Sequence, residues 1–292
     1  MARRASLLII AIALLSGCGR PAPPVRPAAP KAALDVYTPC LLSIPIQRVV
    51  GRFQASHPGS EVSVLVDKPL AQIEEVRSAA NASGVAITLG EIEMGTLIGA
   101  GVVSKQDVRP FATSTSPIVA VAPAASGSPE GGSLRELGSP SVRRVLIEDP
   151  ARSSLGDRAT RGLKEAGLWP AVSAKVVRPE ASAMILAELL SGKAEAALVL
   201  KGCLLAEKGP GGASPATSRA PAGKTVPRIP KTIRIVGELA PDSYPPIVHM
   251  AAPLARGKDA ALAKEFVAFL ASPEGRKAVA DAGLTSVDRT GR

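Results

Sequence analysis

The sequence predicts an α/β chain folded as two lobes. Short apolar runs with little polar alternation recur along it, segments of helical periodicity separate them, and Leu34 to Arg292 is longer than one compact core usually occupies. Strands are expected at Leu34 to Tyr37, Val62 to Val66, Val85 to Leu89, Ile118 to Ala122, Val145 to Ile147, Ala174 to Val177, Ala196 to Leu200, Ile233 to Val236 and Ile247 to Ala251. Runs that are apolar throughout suit strands covered on both faces, so parallel sheets with right-handed crossovers are expected. Helical spacing links Ile46, Val49, Val50 and Phe53, then Ala159, Leu163 and Ala166, then Ile185, Leu186, Leu189 and Leu190. Ala260 to Leu270 reads as a further helix. Ser272-Pro273-Glu274 starts the last one, with Ser as N-cap and Pro at its first position.

The first residues form a separate unit. Arg3 and Arg4 precede an apolar run from Leu7 to Leu15, and Leu15-Ser16-Gly17-Cys18 closes it, which reads as a secretory signal ending in a lipobox. A membrane span takes about 20 apolar residues, and this run is much shorter. The lipobox resembles bacterial lipoprotein signals, which implies cleavage before Cys18 and acylation of that cysteine as a lipid anchor. Gly19 to Lys31 holds five of the 27 prolines and, apart from Val25, no long apolar side chain, so a stiff, extended tether is expected. The resulting division is 1–17 signal, 18–33 tether, 34–118 first lobe, 119–244 second lobe, and 245–292 returning to the first lobe.

Composition narrows the function classes. With 46% hydrophobic residues the chain is not globally disordered, and with 2% aromatics its core is built from Ala, Val, Leu and Ile. The formal charge of +10 raises the question of nucleic acid, but export and the scarcity of stacking aromatics exclude it as a partner. The basic residues read as a solvated surface that tolerates anions. Residues 209–231 contain no acidic residue and four basic ones among Pro, Gly, Ala and Thr, and read as a mobile insertion in the second lobe.

Three strand-to-helix junctions are candidate ligand sites, because in open sheets the crevice lies beyond the carboxyl ends of the strands. They are Tyr37 to Ser43, Ile147 to Gly156 and Ala181 to Ala183. Each helix start offers unpaired N–H groups and a positive dipole end, which suits an anion. Ser43, Ser153 and Ser182 read first as caps and second as ligand donors.

From Ser116 onward the chain resembles the molybdate-binding proteins of type II periplasmic solute-binding architecture. The resemblance is carried by Ser116 to Pro123, Asp149-Pro150 through Gly156, Ala166-Gly167-Leu168-Trp169, Tyr244-Pro245, Phe266 through Phe269-Leu270, Ser272 to Gly275 and Ala282-Gly283-Leu284. Before Ser116 the agreement is in pattern only, at Val36-Tyr37 and Glu93 to Val103. It implies a two-lobe periplasmic-binding-protein-like fold with two crossover strands, in which lobe closure captures a small molybdate-like oxyanion for an ABC permease. That family holds its anion with neutral donors: a Ser in each of the first two loops, backbone N–H groups of the second lobe and a Tyr. Here the first-loop Ser position holds Leu41, with Cys40 before it; the second loop becomes Asp67-Lys68-Pro69; and the Tyr position falls on Leu200. Asp67 repels a dianion unless Lys68 or a proton offsets it. The candidate ligand set is therefore Cys40, Leu41, Asp67, Ser153, Ser154, Gly156, Ser182 and Cys203.

No catalytic or cofactor motif competes. His57 lies in a His-Pro-Gly turn and His249 in an expected strand, and neither belongs to a metal or nucleophile signature. Glu91 and Glu93 stand two apart, but acidic residues at that position open a helix favourably. Cys40 and Cys203 are expected near each other across the cleft, and three readings stay open. They form a disulfide, they hold a soft metal or thiophilic ligand with Met250 or Asp67, or they are small buried hydrophobes that never meet. The expected protein is thus an extracytoplasmic binding lipoprotein without cofactor, with a soft-metal binder or sensor as the alternative.

Acylation at Cys18 has a direct test. Cys18→Ser should yield a soluble or uncleaved precursor in a competent host, whereas the unchanged chain partitions with membranes and takes up a lipid label. Recovery of the unchanged protein with Met1 intact would exclude the anchor.

Overall fold

The computed structural model describes residues 32–67, 69–78, 84–114, 116–124, 132–179, 184–206, 231–255 and 259–287. The signal with Cys18, residues 19–31 of the tether, Lys68, Ser182 and residues 209–230 of the insertion lie outside them. In chain order the elements are β1 (Ala32–Pro39), α1 (Ser43–Ser56), β2 (Ser60–Asp67), α2 (Pro69–Ser78), β3 (Val85–Thr88), α3 (Glu91–Gly99), β4 (Arg109–Thr113), β5 (Ile118–Pro123) and β6 (Val145–Leu146). There follow α4 (Ser154–Glu165), α5 (Trp169–Val172), β7 (Val176–Val177), α6 (Ile185–Leu190), β8 (Ala196–Leu200), α7 (Lys201–Ala206), β9 (Ile233–Glu238), β10 (Val248–Pro253), α8 (Ala260–Ala271), α9 (Pro273–Asp281) and β11 (Thr285–Ser286).

The strands form two sheets, ordered β11-β4-β10-β3-β1-β2 and β7-β6-β8-β5-β9. The chain passes from the first sheet to the second between β4 and β5 and returns between β9 and β10. These crossings are tied together, since the Tyr244 hydroxyl accepts a hydrogen bond from Ile118 N–H at 3.3 Å. The two-lobe α/β architecture is as the sequence predicts. Strand direction is not: β10 runs antiparallel to β3 and β4, β11 to β4, and β5 to both β8 and β9. Burial on both faces makes a strand apolar throughout whatever its neighbour's direction, so that signal does not report direction.

Packing follows the helical spacing. Ile46, Val49, Val50 and Phe53 of α1 are buried against Leu262, Phe266 and Phe269 of α8. Phe53 meets Phe266 and Phe269 edge to face, with ring centroids 5.0 and 5.5 Å apart. On one face of the second sheet Ala159 and Leu163 of α4 are buried with Ile118 and Ala120, and on the other Ile185, Leu186 and Leu189 of α6 are buried with Val119 and Val121, while Leu190 is exposed. Ser272 caps α9 as expected, its hydroxyl accepting from Gly275 N–H at 3.0 Å. Ser43 does not cap α1, whose N-cap is Leu42. The expected strand from Ala174 opens as a 3-10 turn over Ser173–Lys175, leaving only Val176–Val177 extended.

Parallel pairing of β1 and β2 sets Pro39 opposite Asp67. The carboxyl ends of both strands therefore share one rim of the first sheet. The aromatic cluster under that sheet anchors α1, which leaves the rim directly. Phe53→Ala should lower the unfolding free energy by about 3–5 kcal/mol in urea titrations, the usual cost of emptying a buried aromatic site.

Candidate functional site

The start of α4 is built around three residues singled out from the sequence. Asp149 turns the chain, its carboxylate accepting from Ala151 N–H at 3.0 Å and its carbonyl from Ser153 N–H at 2.9 Å. Ser153 is the N-cap: its hydroxyl accepts from Gly156 N–H at 3.2 Å and donates to the buried Glu148 carboxylate. Gly156 serves close packing, because a Cβ there would stand 2.3 Å from the Glu148 carbonyl oxygen. A bulky residue at 156 strikes main chain, so such a variant reports on folding before it reports on any ligand.

Ser154, the first residue of α4, faces the start of α3 in the other lobe. Glu93 Oε1 accepts from Ser154 N–H at 2.9 Å and Oε2 accepts from the Ser154 hydroxyl at 2.6 Å, while Oε2 also takes Gly90 N–H at 3.1 Å. In return the Ser154 oxygen accepts from Ile92 N–H at 3.3 Å. The two helix starts cap one another across the lobe boundary, and Glu93 is only 1% exposed. Gly90 permits the approach, since a Cβ there would lie 2.3 Å from Ser154 Oγ. Beside this contact Arg158 of α4 binds Glu91 of α3 and Asp157, and its Nε donates to the Pro245 carbonyl at 3.0 Å. The sequence places Glu91 and Glu93 correctly at the start of their own helix; nothing in it signals that Glu93 also serves α4, or that Arg158 bridges the lobes.

The opposite rims meet through sulfur and leucine. Cys40 follows β1, Cys203 lies on α7, and their sulfurs stand 3.3 Å apart. Next to them Leu41 packs against both lobes' cores, with its Cδ1 2.3 Å from where a Cβ on Gly202 would sit. Cys40 and Cys203 border a cavity of about 30 Å³ walled by Leu89, Leu155, Leu200 and Glu148. That volume accommodates a water or two and not a four-oxygen anion. Leu41 and Gly202 line a separate hollow of about 270 Å³ with Ser116 and Lys201. Asp67 ends β2 on the same rim as Cys40, and the Glu75 carboxyl is raised by burial and then by the Asp67 charge. The structure thus brings together Cys40, Leu41 and Cys203 at one contact and Ser153, Ser154 and Gly156 at another. Among the described residues no group of three or more His, Cys, Asp or Glu is placed to hold a metal ion.

Burial pushes the Glu93 carboxyl up to about 6, although its hydrogen bonds with Ser154 pull it down. His249 is fully buried in β10, its Nδ1 paired with the Leu89 carbonyl at 2.7 Å, and burial lowers its pKa to about 4. It is a structural strand residue linking β10 to the end of β3.

Folded Glu93 holds its proton more tightly than the unfolded chain does. Its contribution is present below the unfolded value of 4.5 and is lost as pH rises through about 6, a decline of about 2 kcal/mol. His249 works in the opposite sense, its contribution being lost as pH falls from 6.5 through about 4. The difference between wild type and Glu93→Gln isolates the carboxyl. Urea titrations should show the wild type losing about 2 kcal/mol relative to the variant between about pH 4 and pH 7; a flat difference would mean that Glu93 titrates normally.

The architecture has close parallels among known proteins. Among curated proteins none matches the chain significantly. The periplasmic molybdate-binding protein of Azotobacter vinelandii superposes with a TM-score of 0.57 at 17% identity, over 86% of this chain and 98% of that one. The sulfate-binding protein SubI of Mycobacterium tuberculosis gives 0.56 at 16% identity, over 89% and 88% of the two chains. Peb3 of Campylobacter jejuni gives 0.55 at 11% identity, over 86% and 99%. At these identities the likeness is one of fold. The family model described as bacterial extracellular solute-binding protein matches residues 34–285, which take in both sheets and both crossings. The chain belongs to the bacterial extracellular solute-binding proteins.

Proposed function

We propose that this protein is a lipid-anchored component of an ABC importer that captures a small oxyanion between its lobes and presents it to the permease. The observation that carries the reading is the Ser154–Glu93 contact. A helix start in one lobe, offering only neutral donors, already holds a carboxylate delivered by the other. An oxyanion is the same kind of acceptor, and it takes the place of Glu93 once the lobes part. The lipobox at Cys18 and the Pro-rich segment after it support tethering of the folded part to a membrane surface. Neighbours of like fold named as molybdate-binding and sulfate-binding support the ligand class.

The ligand set is not that of the molybdate-binding family. By the sequence resemblance Leu41 and Leu200 fall where that family carries hydroxyl donors, and Glu148 lies beside the α4 start. Fewer donors and a nearby carboxyl weaken the hold on a dianion, so binding is expected to be weaker than a full donor set allows.

Thermal unfolding with molybdate, tungstate, sulfate and phosphate tests the reading, because stabilisation grows as RT ln(1 + [L]/Kd). At least one of these anions should raise the midpoint. The effect should shrink in Ser154→Ala and grow in Glu93→Ala, where the internal competitor is gone, by about tenfold in affinity. If none stabilises either the wild type or Glu93→Ala, the oxyanion reading falls.

A further inference from the structure

Cys40 and Cys203 are 163 residues apart in sequence and belong to different lobes, yet their sulfurs are 3.3 Å apart in a half-buried setting. Close packing beside the pair goes with the approach. Gly202 leaves room for the Leu41 side chain, so that a Cβ at 202 would make Leu41 repack beside the two sulfurs. A shared metal ion does not suit the spacing: two thiolates about 2.3 Å from a tetrahedral ion sit roughly 3.8 Å apart, and no third ligand group is assembled among the described residues. A disulfide suits it better, since small side-chain rotations bring sulfurs in contact to the bonded distance of about 2.05 Å. Family membership places the protein outside the cytoplasm, where such bonds form and persist.

We propose that Cys40 and Cys203 form a reversible disulfide that bolts the two lobes together, so that the redox state of this pair decides whether the protein can open and exchange solute. The bond itself stands on the geometry; its consequence for exchange rests on the lobe-closing function proposed above. The partner is a dithiol–disulfide carrier protein. One protein thiolate attacks the carrier's disulfide and forms a mixed disulfide. The second, its proton released to solvent, then attacks the protein sulfur of that link, expelling the carrier as a dithiol and leaving the Cys40–Cys203 bond. Two electrons pass to the carrier, and a reduced carrier reverses the sequence.

The test uses the full chain extracted from membranes with its thiols blocked at lysis, and again after treatment with oxidised glutathione or dithiothreitol. Tryptic digestion of oxidised protein should give peptides 32–48 and 202–208 joined, and reduction should separate them. Hydrogen exchange in the segments carrying Ser154 and Ile92, which lie at the lobe boundary, should be at least about tenfold faster in reduced protein than in oxidised protein. Cys40→Ser and Cys203→Ser should exchange at the fast rate in both conditions. The proposal is overturned if both peptides stay unlinked after oxidised glutathione, or if linked and reduced protein exchange at the same rate. A linked, slowly exchanging protein that responds to no oxyanion would instead count against the oxyanion reading alone.

Discussion

Two helix starts, α3 and α4, face each other across the boundary between the sheets, and a single buried carboxylate, that of Glu93, accepts hydrogen bonds from both. Every helix start leaves several N–H groups without an intrahelical partner, and a buried one must find acceptors or lose free energy. Glu93 supplies them to Gly90 and Ser154, and Ser154 supplies one to Ile92. Much around the contact follows from it. Gly90 lacks a side chain because Ser154 lies against it. Arg158 reaches across to Glu91 and to the crossing segment at Pro245, so the second chain crossing is tied to the same helix. The burial that makes Glu93 useful also favours its protonated form.

Around that contact the lobes are sealed by apolar surface. In an anion cage the closed form is favoured by the ligand, which binds both lobes. Here Leu41, Leu89, Leu155 and Leu200 bring apolar area to the same boundary, and its burial, at about 25 cal/mol per Å², favours closure without any solute. A solute can shift such an equilibrium only by its differential affinity for the open form or for a reclosed form in which it replaces Glu93. For the capture proposed above, such an internal seal lowers the apparent affinity of any solute that must first part the lobes.

Several elements were hidden from sequence reasoning for identifiable reasons. Strand β4, Arg109–Thr113, contains Pro110, which ordinarily argues against an interior strand. It is nonetheless paired on both sides, because the register with β10 shifts between His249 and Met250 and the proline lies at that irregularity. Helix α2 has few core residues, Ile73 and Val76 among them, and begins in a Lys-Pro segment that reads as loop. Strand β11 is two residues long, too short for any periodicity.

The sequence by itself determined the alternation of strands and helices, the two-lobe length, the caps at Ser153 and Ser272 and the candidate rims at Cys40 and Ser153. Those are legible because hydrophobic period and capping act between residues a few positions apart. Strand order even placed Cys40 and Cys203 near one another, since each follows a strand that ends at the boundary. Only the tertiary structure decided that Glu93 fills the α4 start and that Leu41 nests against Gly202. It also decided that the sheets are mixed. These depend on contacts between residues 61 or more positions apart, such as Ser154 with Glu93. A carboxylate that caps its own helix has the same local pattern whether it points to solvent or into a neighbouring helix start, and only the packing of the lobes distinguishes them.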